Sequence, residues 1–67
     1  MFAKPAVNVG DRFIKVGNNQ TAVWVVSRTF EVPFEPSHAN LYKEGDDYES
    51  ITVSLVALLD PRFFRPA

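Results

Sequence analysis

The sequence predicts a small all-β domain, a barrel of about four to five strands in two hairpins with a short helical segment near the C-terminus. Three observations predict it. "TAVWVVSRTFEV", residues 21–32, is rich in β-branched and aromatic residues under a period of two. "HANLYK" and "YESITVS" alternate apolar and polar residues on either side of "EGDD". Turn chemistry separates the runs at Gly10-Asp11, at "GNNQ" and at "PFEPS".

A chain of 67 residues makes one domain. At this length folding buries only about 60% of the surface that the unfolded chain exposes, so stability is modest. There is no cysteine, which removes disulfides, thiolate metal sites and thiol nucleophiles together. Small secreted domains lean on disulfides, so the composition points to a reducing cytoplasm. The opening "MFAKPAVNVGD" holds no apolar run suited to a signal peptide, and no run reaches the ~20 apolar residues of a membrane span. Seven Lys and Arg against eight Asp and Glu give a formal charge of -1, without the basic excess of a nucleic-acid binder. An apolar content of 46% excludes disorder as the default state.

Residues 1–8 read as a flexible leader, 9–60 as the domain and 61–67 as a C-terminal tail. "VGDRFIKV", residues 9–16, is the first strand. With Asn18-Asn19 at the hairpin tip, Val16 pairs with Thr21, Ile14 with Val23 and Phe13 with Trp24. Phe13, Trp24 and Val26 then share one face with Phe30 and Val32, and Ile14, Val23 and Val25 share the other. Both faces are apolar. "PFEPS", with its two prolines, cannot lie inside a sheet.

In the second hairpin, alternation sets Ala39 and Leu41 on the side of Ile51 and Val53. Leu41 opposite Ile51 brings Lys43 opposite Glu49, His38 opposite Ser54, Asn40 opposite Thr52 and Tyr42 opposite Ser50. The outer face of this hairpin is therefore polar. Ser54 is placed to cap a short helical segment, Asp60-Pro61 ends it, and Leu55, Leu58 and Leu59 plug one end of the sheet. Closure into a barrel removes exposed edges most economically.

"VGDRF" opening the first strand, "WVV" in the second and a late strand passing into "VALL" resemble SH3-like small barrels of the Tudor and KOW kind. The pattern is also similar to a group of short bacterial proteins of unassigned function, on Gly10-Asp11, Trp24-Val25-Val26, His38 to Leu41 and Ser54 to Phe63. The resemblance covers roughly residues 9–64 and implies a fold without an activity, since such barrels bind peptides, methylated side chains, RNA or each other. No aromatic cage for a methylated cation is legible. Where KOW domains bring a basic loop to RNA, the loops here carry Glu35, Glu44, Asp46 and Asp47.

Enzymatic chemistry finds little support. His38 is the single histidine, with Asn40 and Tyr42 on the same polar face. One histidine without cysteines makes a poor metal site, so a strand histidine bonded across to Ser54 is the plainer reading. "EGDDYE" lacks the alternating ligands of a calcium loop and reads as a solvated hairpin tip. Neither a phosphate-binding glycine loop nor a nucleophile elbow is present, and no cofactor or metal is expected.

Two binding readings remain. The first is a non-enzymatic domain that binds an unknown protein partner or a second copy of itself through the surplus apolar face. Its residues are Ile14, Val23 and Val25 with Phe63 and Phe64 of the tail, which folds across part of that face and leaves the rest for association. The alternative is single-stranded nucleic acid held by Arg12, Lys15 and Arg28 near exposed rings, although Arg12 and Lys15 point to opposite faces and the net charge disfavours it.

Overall fold

The computed structural model describes residues 7–17 and 22–67. Its elements follow in the order β1 (Arg12–Lys15), β2 (Val23–Phe30), β3 (His38–Lys43), β4 (Asp46–Ser54), the short helix α1 (Leu55–Leu58) and β5 (Phe64–Pro66). The strands make one five-stranded antiparallel sheet in the order β4-β3-β2-β1-β5.

The chain enters the sheet through a turn at Asn8–Asp11. Asp11 accepts the Asn8 N–H on its carboxylate at 2.8 Å and returns its own N–H to the Asn8 carbonyl at 3.0 Å. Gly10 takes φ +95°, a conformation that suits a residue without Cβ. Its N–H then reaches the Val26 carbonyl at 2.9 Å, extending the β1–β2 ladder by a step. Within that ladder Phe13 faces Trp24 and Ile14 faces Val23, as alternation requires. The expected Val16–Thr21 pair and the Asn18-Asn19 tip lie outside the described residues.

Between β2 and β3 the register slips by a residue. Val26 opposes Leu41, yet Arg28 opposes Asn40, leaving Ser27 as the extra residue of a bulge. Its hydroxyl donates to the Asn40 carbonyl at 3.1 Å. The slip reverses the facing of the rest of the strand. Phe30 therefore lies opposite His38 on the outer face, and does not join Trp24 and Val26 as uninterrupted alternation predicts.

The β3–β4 hairpin keeps the expected register from His38 opposite Ser54 to Tyr42 opposite Ser50. Beyond Tyr42 it breaks: Lys43 opposes Asp46, because the turn at Glu44-Gly45 is tight and Gly45 accepts φ +90°. Asp47, Tyr48 and Glu49 are left without cross-strand partners. The Lys43 ammonium still finds Glu49, at 3.4 Å.

Ser54 caps α1, its hydroxyl accepting the Ala57 N–H at 3.1 Å. Leu58 is fully buried and Leu55 half-buried against the core, whereas Leu59 turns outward with 44% of its surface exposed. The helix is too short to present all three leucines to one side. Residues 61–67 then supply β5, laid against β1 with Lys15 opposite Phe64 and Ile14 opposite Arg65.

The core gathers Val7, Phe13, Trp24, Val26, Ala39, Leu41, Leu58 and Phe64 on the inner face. Val7, within the expected leader, belongs to it. The indole N–H of Trp24 is buried there without a hydrogen-bond partner among the described residues. The sheet does not close into a barrel: β4 and β5 are both edges. With an odd number of strands, all antiparallel, these two edges run in the same direction. The helix α1 packs against both.

Candidate functional site

Three surfaces collect the residues that carry chemistry. The first is the outer face of the β1–β2 hairpin. Val25 is buried there, with 7% exposure, although it takes no part in the inner core. Its cross-strand neighbours are Arg12 on one side and Tyr42 on the other. The Arg12 guanidinium reaches past β2 to Glu44, donating from Nε at 3.0 Å and from Nη2 at 2.9 Å. These hydrogen bonds, and next the Glu44 charge, raise the pKa of Arg12, so its positive charge is committed locally. Long side chains of this kind shield apolar surface with their stems. Ile14 and Val23 beside them remain half-buried.

The tail covers a different place. Pairing opposite Lys15 puts Phe64 on the Phe13 side of the sheet, where it enters the inner core at 5% exposure. Arg65, and neither phenylalanine, is what lies beside Ile14. Phe63 precedes the strand and is 50% exposed.

Phe63 lines the second surface, an apolar groove of about 400 Å³ on the open side of the sheet. Ile51, Thr52 and Val53 of the β4 edge form one wall, Val16, Phe63 and Phe64 the other, with Ala57 of α1 and Lys15 completing the lining. It thus occupies the seam between the two edge strands. Towards the N-terminal end of β4, outside the groove lining, Asp46, Asp47 and Glu49 are exposed, together with Tyr48 at 100%.

The third surface is the outer face beyond the bulge. The Arg28 guanidinium sits 4.8 Å above the centre of the Phe30 ring, which stacks on His38 at 5.9 Å and 30°. His38 Nδ1 lies 2.8 Å from the Pro36 carbonyl. A carbonyl only accepts, so Nδ1 is the donor in this bond. The expected bond to Ser54 is replaced by this one, since the Ser54 hydroxyl caps the helix. Thr52 donates to Asn40 Oδ1 at 2.7 Å. His38, Asn40 and Tyr42 line an open face and take no part in the groove.

The structure does not bring Arg12, Lys15 and Arg28 together. Arg12 is bound to Glu44, Lys15 lies by the groove, and Arg28 stacks on Phe30. The Arg28–Phe30–His38 stack and the groove between β4 and β5 both escape sequence reasoning. The stack depends on the bulge at Ser27, and the groove on which strands become edges. A serine interrupting an apolar strand is the only local trace of the first.

Phe34, at the tip of the β2–β3 loop, is wholly exposed and adopts φ +64°, the one non-glycine residue with positive φ among those described. No group of three or more metal-ligating side chains occurs among the described residues. No helix among them is long and apolar enough to cross a membrane. Comparison with known proteins finds no family model, no curated protein and no solved structure that matches the chain.

Proposed function

We propose that this chain is a non-enzymatic binding domain that engages another polypeptide along the open side of its sheet. One observation carries the reading: two edge strands, β4 and β5, flank an apolar groove of about 400 Å³ whose walls include the half-exposed Phe63 and Val16. The β4 edge offers backbone hydrogen bonds, and the groove beside it offers pockets for alternate side chains. Ile14, Val23 and Val25 contribute less than alternation suggests, because Arg12, Tyr42 and Arg65 flank them.

An SH3-like architecture is supported by the element order, with a short helix leading from β4 into a last strand that returns to β1. The cysteine-free composition supports a cytoplasmic setting.

The test is a titration of the isotope-labelled full chain, followed by amide NMR, with extended apolar peptides and with short single-stranded oligonucleotides at about 0.15 M ionic strength. Peptides are expected to move the amides of residues 51–53 and 63–64, and oligonucleotides to leave the spectrum unchanged. Oligonucleotide binding centred on Arg28, Phe30 and His38 would replace this reading with the nucleic-acid one.

A further inference from the structure

We infer that the segment received by the seam is an extended one, running antiparallel to β4, apolar at alternate positions and basic towards its C-terminal end. This rests on the polypeptide-binding reading above and adds direction and chemistry to it.

Direction follows from topology. The edges β4 and β5 point the same way, because every neighbouring pair in the five-stranded sheet is antiparallel. Joining them directly would require a parallel pairing, which is slightly weaker per residue. One strand in the opposite sense pairs antiparallel with β4, while β5 offers it carbonyls alone, because the Phe64 N–H donates to the Asp60 carbonyl at 3.1 Å and Pro66 has no N–H.

Chemistry follows from the asymmetry of β4. Its N-terminal half carries Asp46, Asp47 and Glu49, and its register with β3 is broken there. Charges and irregularity of this kind keep an edge from pairing indiscriminately. The half from Ile51 to Val53 bears no charge and lines the groove. A segment antiparallel to β4 sets its first residues beside Val53 and Ile51 and its last beside Glu49 and Asp47. Apolar side chains at alternate positions face Val16, Phe63 and the groove. A terminal Lys or Arg then meets the exposed carboxylates of Asp47 and of Glu49, the latter shared with Lys43 at 3.4 Å. Pairing β4 with a second copy along its full length about Ser50 would set Ile51 against Glu49 and Val53 against Asp47, so a second copy is confined to a short pairing about Thr52.

The experiment uses the full chain and synthetic peptides with blocked ends: "VTVTVKK", its reversal "KKVTVTV", and "VTVTVDD". The first is expected to bind with amide shifts at residues 51–53 and 63–64, at least about tenfold more tightly than either other peptide, and more weakly as salt rises. In the variant Asp47→Lys, at an exposed residue without a cross-strand partner, preference should move towards "VTVTVDD". Equal binding of the first peptide and its reversal at the seam overturns the inference on direction and leaves the seam as a binding site. Failure of every peptide to shift the seam overturns both. A concentration-dependent dimer that maps to the seam assigns it to a second copy and overturns the inference as well.

Discussion

Arg12 holds Glu44 in a two-pronged ion pair, at 3.0 and 2.9 Å, that spans β2 on the side where Val25 emerges. The pair joins β1 to the β3–β4 turn, and the Glu44 N–H donates to the Val23 carbonyl at 2.7 Å, so the turn is anchored to the same strand. Surface ion pairs contribute little to stability by themselves. The consequence here is one of coverage: an arginine and a tyrosine flank an apolar residue that the core does not use.

Removing that cover should change association more than folding. Arg12→Ala is expected to retain the native fold and to raise the weight-average mass measured by light scattering as concentration increases, because Val23 and Val25 become an open apolar patch. A variant that stays monomeric over the same range shows that Tyr42 and Arg65 suffice to shield the face.

Adjacent phenylalanines should behave oppositely. Phe64→Ala removes a core side chain of 5% exposure, at a cost of about 3–5 kcal/mol. A small domain has little more than that to lose, so the variant should be largely unfolded by circular dichroism. Phe63→Ala, at 50% exposure, should shift the urea midpoint little and weaken peptide binding at the seam. Similar losses of stability from both would mean that Phe63 is part of the core.

Phe34 predicts a substitution that stabilises. Its side chain is wholly exposed and its backbone holds φ +64°, a conformation costing about 1–2 kcal/mol for an L-residue with a Cβ. Phe34→Gly relieves it, and should raise the urea midpoint, with a gain in unfolding free energy of up to about 1 kcal/mol after the added chain entropy of glycine is set against the relief. A lower midpoint would show that the ring makes contacts that stabilise the loop.

Acid should loosen the link from α1 to β5. The Arg62 guanidinium bonds the Asp60 carboxylate at 2.7 Å, and the Arg62 N–H adds a bond at 2.9 Å. These hold the Asp60 pKa below its ordinary value of 3.8, the side-chain hydrogen bonds contributing most. The lowered folded value means that the ionised form favours the folded chain. Its stabilisation is fully present above the ordinary value and disappears as pH falls through the folded one. Thermal melts of the parent and Asp60→Asn should differ at about pH 7 and converge towards about pH 2. A constant difference across that range would assign the effect to shape alone.

Strand identity, the cap at Ser54 and most of the pairing were legible in the sequence, for a local reason. A period of two, β-branched residues and turn chemistry at Gly10 and Gly45 act over a few residues at a time. They suffice to set Ile14 opposite Val23 and Leu41 opposite Ile51. The same alternation misplaces Phe30, since one extra residue at Ser27 reverses every side chain after it. That choice belongs to the pairing of β2 with β3, where the Ser27 hydroxyl finds the Asn40 carbonyl.

What the sequence by itself determined is therefore the first four strands, their hairpin partners and the absence of any chemistry that needs cysteine. Tertiary structure alone decided where the tail goes, which strands are edges and what the seam between them contains. Residues 61–67 carry too few residues to announce a strand, and β5 exists because Phe64 gains burial in the inner core while its backbone pairs with β1. The candidate site lies between Ile51 and Phe63, on elements joined only through α1 and the turn that follows it. Its walls meet by packing, and packing leaves no period in the sequence to read.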